Sequence, residues 1–349
     1  MAPMKIKLTR EPDKQRYIDT INHIESEEVP FWETEVDHET VRKILGRDLP
    51  VTRSYLMPAK DYVEFTQITG QDLIKLHVQW QPGRKIFYER GIANYAGGLI
   101  KDYDDLKMVK HPGMDPIRRR IEEIMGDANY GKLGIAYAIY STPNIVTDAL
   151  GYEDYYISLM ERPGFIKDFM KLVDEYVMKQ LETVLEYPVT VINTGFALCM
   201  NTGPVLSFDM IEEFYFPFLK NMISLIHSKG VFVDYHCDGD NTLLFPKFIE
   251  MGVDSVNALE KCGGRQDIYK LKEKYGDRLA FRGNIDVGEV LTRGTKEDVI
   301  RDVQEHIMKL SPGGGYTCSS SHDISHLVPV ENFITMIETI HKTKGVVSG

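Results

Sequence analysis

No apolar run in the 349-residue chain reaches eighteen residues, too little for a membrane-spanning helix. Residues 1–7 have no apolar segment of the kind a secretion signal needs. Cysteine is scarce, and Cys199, Cys237, Cys262 and Cys318 form no Cys-x-x-Cys pair. With no leader expected, they read as thiols of a reducing compartment, and the expected location is cytoplasmic. Basic charge is in deficit: 41 Lys and Arg against 52 Asp and Glu give −11. That balance argues against nucleic acid or an anionic membrane surface as partner. Low-complexity stretches and linkers are missing too, so residues 1–349 read as one domain. Homo-oligomer formation stays open.

Alternation is what the chain does have. After Gly131, short apolar runs at 133–140, 189–193, 231–235, 253–259, 279–283 and 315–318 are rich in β-branched and aromatic residues. Helical periods separate them at 163–185, 207–228, 241–251, 267–275, 296–310 and 329–342. Strands apolar on both faces imply a parallel sheet covered by helices. Two more strands upstream would close a (β/α)8 TIM-type barrel; an open doubly wound sheet is the runner-up. Ser207 is placed as an N-cap, with a break expected at Pro217 and a C-terminal stop at Gly230.

Residues 1–100 read as an elaborated N-terminal region. Helices are expected over 14–25, from an Asp37 cap through Leu45 to a stop at Gly46, and over 59–69. Residues 73–80 and 85–89 are expected to pair as strands about a Pro82-Gly83 turn.

The apolar runs end in polar residues. Asn193 closes one, His236, Cys237 and Asp238 the next, then Glu260, then Asn284 and Asp286, and last Ser319 to His322. A barrel gathers its strand ends around one rim, so these residues should converge on an active site. Helix N-caps account for some of the polarity, but two histidines and a glutamate are poor caps. His236 and Asp238 are two apart and share a strand face, with Cys237 opposite. With His322 they form a nitrogen and oxygen ligand set for zinc or another divalent ion, or a metal-free hydrogen-bonded site.

Two further patterns are set aside. Asp234-x-His236-x-x-Gly239 matches a corrinoid-binding fingerprint but sits in mid-barrel, without that motif's later elements. Gly313, Gly314 and Gly315 look like a phosphate loop but precede their strand, so they read as a turn needing positive φ.

Residues 231–239, 248–257, 281–286 with Leu291, Gly294 and Thr295, 312–316, 322–324 and 328–332 together resemble the uroporphyrinogen decarboxylase superfamily. The likeness covers the chain well from Leu206 onward and more weakly before Tyr187. It implies a TIM-type barrel. Decarboxylases of the family carry an arginine-rich N-terminal segment for their polycarboxylate substrate. Residues 31–37 here have Phe31, Trp32, Glu33 and Glu35 and no arginine, so decarboxylation is not expected.

The superfamily's other large branch, the corrinoid-dependent methyltransferases, uses a His-x-Cys and a later cysteine to bind zinc. By resemblance His236 keeps the histidine, while Asp238 and His322 stand at the two thiolate positions. Harder ligands suit polarising an oxygen better than binding a thiol. The resemblance therefore implies methyl transfer from a small-molecule O-methyl donor, a methoxylated aromatic or methanol, to a corrinoid carried by a partner protein. Glu260 or Asp238 would assist the leaving oxygen, with Asp286 and Asn193 as positioning residues. The alternatives are transfer from methylcorrinoid to a thiol or pterin, a decarboxylase-like lyase, and a non-catalytic binding subunit.

Overall fold

The computed structural model describes residues 3–49, 51, 53–89, 92–196 and 198–347. Seven parallel strands form one sheet, numbered here β1 (Leu73–Leu76), β2 (Gly134–Ala138), β3 (Val191–Gly195), β4 (Phe232–Cys237), β5 (Ser255–Ala258), β6 (Ala280–Arg282) and β7 (Tyr316–Thr317). They neighbour one another in sequence order. The eighth position is filled by the chain around Phe31, which bridges in parallel to Cys318. On its other side the Asp72 amide, just before β1, donates to the Phe31 carbonyl at 2.8 Å. The sheet thereby closes as a (β/α)8 TIM-type barrel. Among the described residues no helix is long and apolar enough to cross a membrane.

Strand period explains the interior. Leu73, Ala136, Val191 and Ala280 point inward near the strand starts and pack with Tyr17, Ile21 and Trp32 into an apolar floor. Helix Lys14–Ile21 supplies two of these residues and so plugs the N-terminal end. Two residues further along five of these strands the inward positions turn polar, at Lys75, Asn193, Asp234, Asn257 and Arg282. The outward positions face the helices in one large apolar core.

The helices follow their sequence signals. Asp37 caps His38–Leu45 by accepting from the Glu39 amide at 2.9 Å, and Gly46 ends it at φ 70°. Helix Ala59–Thr69 lies where expected and stops at Gly70, φ 69°. Helix Lys14–Ile21 is shorter than its apolar stripe suggests, because His23 takes a positive φ of 59°. The break near Pro217 falls at Tyr215, between Phe208–Phe214 and Phe216–Ser228. Pro217 itself sits in the first turn of the second helix, where its missing N–H costs nothing. Gly313, Gly314 and Gly315 have φ of 75°, 66° and 65°, the turn expected of them.

The expected hairpin between 73–80 and 85–89 is not formed. β1 is buried on both faces and pairs in parallel with β2, while Arg84–Glu89 pairs antiparallel with Ile92–Gly98. The Pro82-Gly83 turn exists, but it joins a barrel strand to a separate ribbon. Gly98 anchors that ribbon: a Cβ there would lie 2.2 Å from the Leu150 carbonyl carbon.

Candidate active site at the strand ends

β4 carries His236 inward at the rim, and Asp238 follows on the same side. The loop after β7 brings His322 to them, and one donor atom from each of the three lies within 4.8 Å of the others. Asp238 Oδ1 is 3.2 Å from His236 Nε2 and 3.5 Å from His322 Nε2. Neither contact has hydrogen-bond geometry, so Oδ1 is a buried carboxylate oxygen with no hydrogen-bond partner.

A chain of amides fixes the His236 ring. Asn257 Nδ2 donates to Asp234 Oδ2 at 2.8 Å, which leaves Asn257 Oδ1 as an acceptor. His236 Nδ1 lies 2.7 Å from that oxygen and must donate to it. Nε2 therefore faces Asp238 either with a lone pair or, in the imidazolium, with a second proton. Asp234 in turn is pinned by Asn193 Nδ2 at 2.9 Å and by Arg282 Nη2 at 2.9 Å, both from inside the barrel. The Arg282 guanidinium lies 3.9 Å from the Trp32 ring centre.

Charge follows from these contacts. Burial opposes a positive His236, but Asp238, Asn257 and Asp323 together outweigh it and raise its pKa to about 9. Burial likewise pushes Asp238 up, and the two histidines outweigh it, holding the carboxyl below its ordinary range. Without metal, the centre is an imidazolium facing a carboxylate.

The donor set fits a small divalent ion. Tetrahedral zinc with ligands at 2.0–2.1 Å has ligand edges of about 3.3 Å, close to the two separations at Asp238 Oδ1. The Asn257 side-chain carbonyl takes the place of the outer acceptor that metal-binding histidines usually have. His322 fits by distance, but its Nδ1 accepts from the Asp323 amide at 2.8 Å, which puts the ring proton on Nε2. Coordination through Nε2 requires that this amide contact be given up.

The other expected site residues divide. Glu260 and Asp286 line an adjoining cleft of about 540 Å³ with Asn284, Ser321 and His322. Glu260 Oε2 also accepts from the Gly239 amide at 3.0 Å, tying down the turn after Asp238. Asp286 is chiefly a cap, Oδ1 accepting from the Gly288 and Glu289 amides at 2.9 Å. Asn193 is one layer below the rim and reaches the site only through Asp234.

Glu33, Asn257, Asp234 and Arg282 were not assigned to the site from the sequence. Glu33 lies on the closing segment and accepts from the Ser320 amide at 3.0 Å and from the Ser320 and Ser319 hydroxyls. It thus holds the loop that delivers His322. Burial pushes its pKa up to about 7, against the Ser320 hydrogen bonds and the charge of Arg282.

Residues 100–343 match the uroporphyrinogen decarboxylase family. The chain belongs to that family. Among solved structures, this family member is similar to a methyltransferase from Methanosarcina mazei, with a TM-score of 0.73 and 15% identity over 94% of this chain and 97% of that one. At that identity the likeness is one of fold. A sugar phosphate isomerase/epimerase from Parabacteroides distasonis aligns at a TM-score of 0.45 and 9% identity, over 90% and 97% of the two chains. No curated protein matches this member of the uroporphyrinogen decarboxylase family.

Proposed function

We propose that this chain is a methyltransferase that moves a methyl group from an O-methyl donor, a methoxylated aromatic or methanol, to the cobalt(I) of a corrinoid on a partner protein. The observation that carries the reading is the convergence of His236, Asp238 and His322, a set without sulfur, at the rim of the barrel. In the transfer the O–CH3 bond breaks, a cobalt–carbon bond forms from the cobalt(I) electron pair, and the oxygen leaves with its bonding pair. An alkoxide or phenolate is a poor leaving group, so the site must neutralise that oxygen as it departs.

These three residues would hold a zinc or similar divalent ion, and such an ion would supply Lewis-acid polarisation of the donor oxygen. The chain's own protons are also suitably placed. Asp238 stays ionised beside two histidines, so it serves as an acceptor and not as the acid. The N–H groups available to an incoming oxygen are those at His236 Nε2, in the imidazolium, and at His322 Nε2. Glu260 and Asp286, on the cleft wall, would orient the donor.

The absence of arginines from 31–37 speaks against a polycarboxylate substrate and hence against decarboxylation. Thiol or pterin methylation is the second reading, and the sulfur-free donor set disfavours it.

The test is to mix the protein with cobalt(I) corrinoid protein and a panel of methoxy-aromatics, methanol and methylamine. The expected result is the methylcobalt(III) absorption band with an O-methyl donor. No band with any of them would refute the reading.

A further inference from the structure

The inward face of β1 forms a second wall of the barrel mouth. Leu73 belongs to the apolar floor, so Lys75 and His77, two and four residues on, point into the same interior. The charges that act on Lys75 are Asp323, Glu35, Arg282 and Asp234, all groups of the mouth or of the layer below it. Asp323 also acts on His236, so one carboxylate of the mouth is felt by both Lys75 and the candidate site.

Lys75 is partly accessible, and among the described residues its ammonium has no hydrogen-bond or ion-pair partner. The other cations of this region are occupied. Arg53 holds Glu35 at 3.2 Å, Arg84 lies 3.7 Å from Asp148, and Arg282 is bound to Asp234. A half-buried ammonium with no partner is costly unless something else takes it.

His77, which feels the Lys75 charge, is the centre of a three-ring cluster. The His77 ring centre is 5.4 Å from that of Tyr55 and 4.7 Å from that of Tyr140, the latter edge-on at 89°. Burial drives the His77 pKa down to about 3, so the ring is neutral and serves as an apolar surface. Ala138, also inward on β2 by strand parity, contributes only a methyl group to this wall.

We infer that this wall is the donor's seat: Tyr55, His77 and Tyr140 pack against an aromatic ring, and Lys75 takes an oxygen substituent of that ring, carboxylate or phenolic. Of the donors left open above, this selects a methoxylated aromatic bearing a second, polar oxygen group. The inference rests on the methyltransferase reading for its biological meaning, but binding can be measured separately.

The experiment is calorimetric titration of the purified protein, without any corrinoid protein, using methoxybenzoate, methoxyphenol, anisole and methanol. Wild type should bind methoxybenzoate or methoxyphenol about tenfold or more tighter than anisole, and the tighter of the two identifies the oxygen group. Lys75→Met should abolish that preference, Lys75→Arg should keep most of it, and Tyr140→Leu should weaken all three aromatics. Lys75→Gln replaces the Met variant if the latter does not fold. An unchanged preference without the ammonium, or no preference in wild type, overturns the inference. Methyl transfer from methanol with no aromatic binding would overturn it while leaving the proposed function intact. Aromatic binding that depends on Lys75 with no methyl transfer to cobalt would do the reverse.

Discussion

Asn257 accepts the Nδ1 proton of His236 across 2.7 Å and thereby decides which nitrogen of that ring faces Asp238. The amide is itself oriented by Asp234, so the setting of the rim originates one layer down, inside the barrel. Replacing Asn257 with Leu removes this control without touching a candidate ligand. The expected outcome is a roughly 10- to 100-fold loss of zinc affinity with the fold intact. Competition with a chromophoric chelator measures it, and unchanged affinity would remove Asn257 from the account.

Asp234 and Arg282 form a buried pair, 2.9 Å apart, with side chains 0% and 1% exposed. Arg282→Met leaves an uncompensated carboxylate inside the barrel and should cost about 3–5 kcal/mol in urea unfolding. Adding Asp234→Leu removes that charge and should recover part of the loss. A double variant no more stable than the single one would show that the charge is not what matters.

Gly195 lies beside His236 in the β3–β4 register. A Cβ there would stand 1.9 Å from the His236 carbonyl oxygen, and backbone cannot rotate away as a side chain can. Gly195→Ala should therefore push the strands apart, at a cost of about 1–3 kcal/mol, and weaken metal binding as His236 shifts. A melt and a metal titration indistinguishable from wild type would contradict this.

Glu33 sets a pH dependence. Its carboxyl is buried and its folded pKa is raised to about 7, so its contribution is full below the ordinary carboxyl range and is lost as pH rises through 7. Glu33→Gln cannot ionise. Compared with wild type it should gain stability between pH 5 and 8, on the order of 2 kcal/mol at the upper end. Melting temperatures of both proteins across that range check the sign, and parallel curves would refute it.

Much of the barrel was legible in the sequence. Each apolar run after Gly131 falls on a strand, though Val191–Gly195 and Phe232–Cys237 run two residues past their apolar stretches, because strands buried on both faces must be apolar at most positions. Asp37 and Gly46 marked a helix through capping chemistry that acts within a few residues. The rim trio was legible through strand parity for His236 and Asp238, and through its place at the end of the last apolar run for His322. The hairpin at 73–89 misled because a Pro-Gly turn signals a reversal without saying which strand the chain then meets. Asp234 and Arg282 stood in plain view as lone charges inside apolar strands, a pattern that demands a buried partner. Which charge paired with which depended on register across two strands, and that is not a local property. Glu33 was hidden for a similar reason, since its partners Ser319 and Ser320 lie nearly three hundred residues away.

The most direct test compares wild type with His236→Ala in single-turnover methylation of cobalt(I) corrinoid protein by a methoxylated aromatic acid. The account predicts rapid formation of methylcobalt(III) by wild type and a loss of at least about a hundredfold in the variant, with donor binding retained. Equal rates in the two proteins would contradict a methyl-transfer centre built on His236.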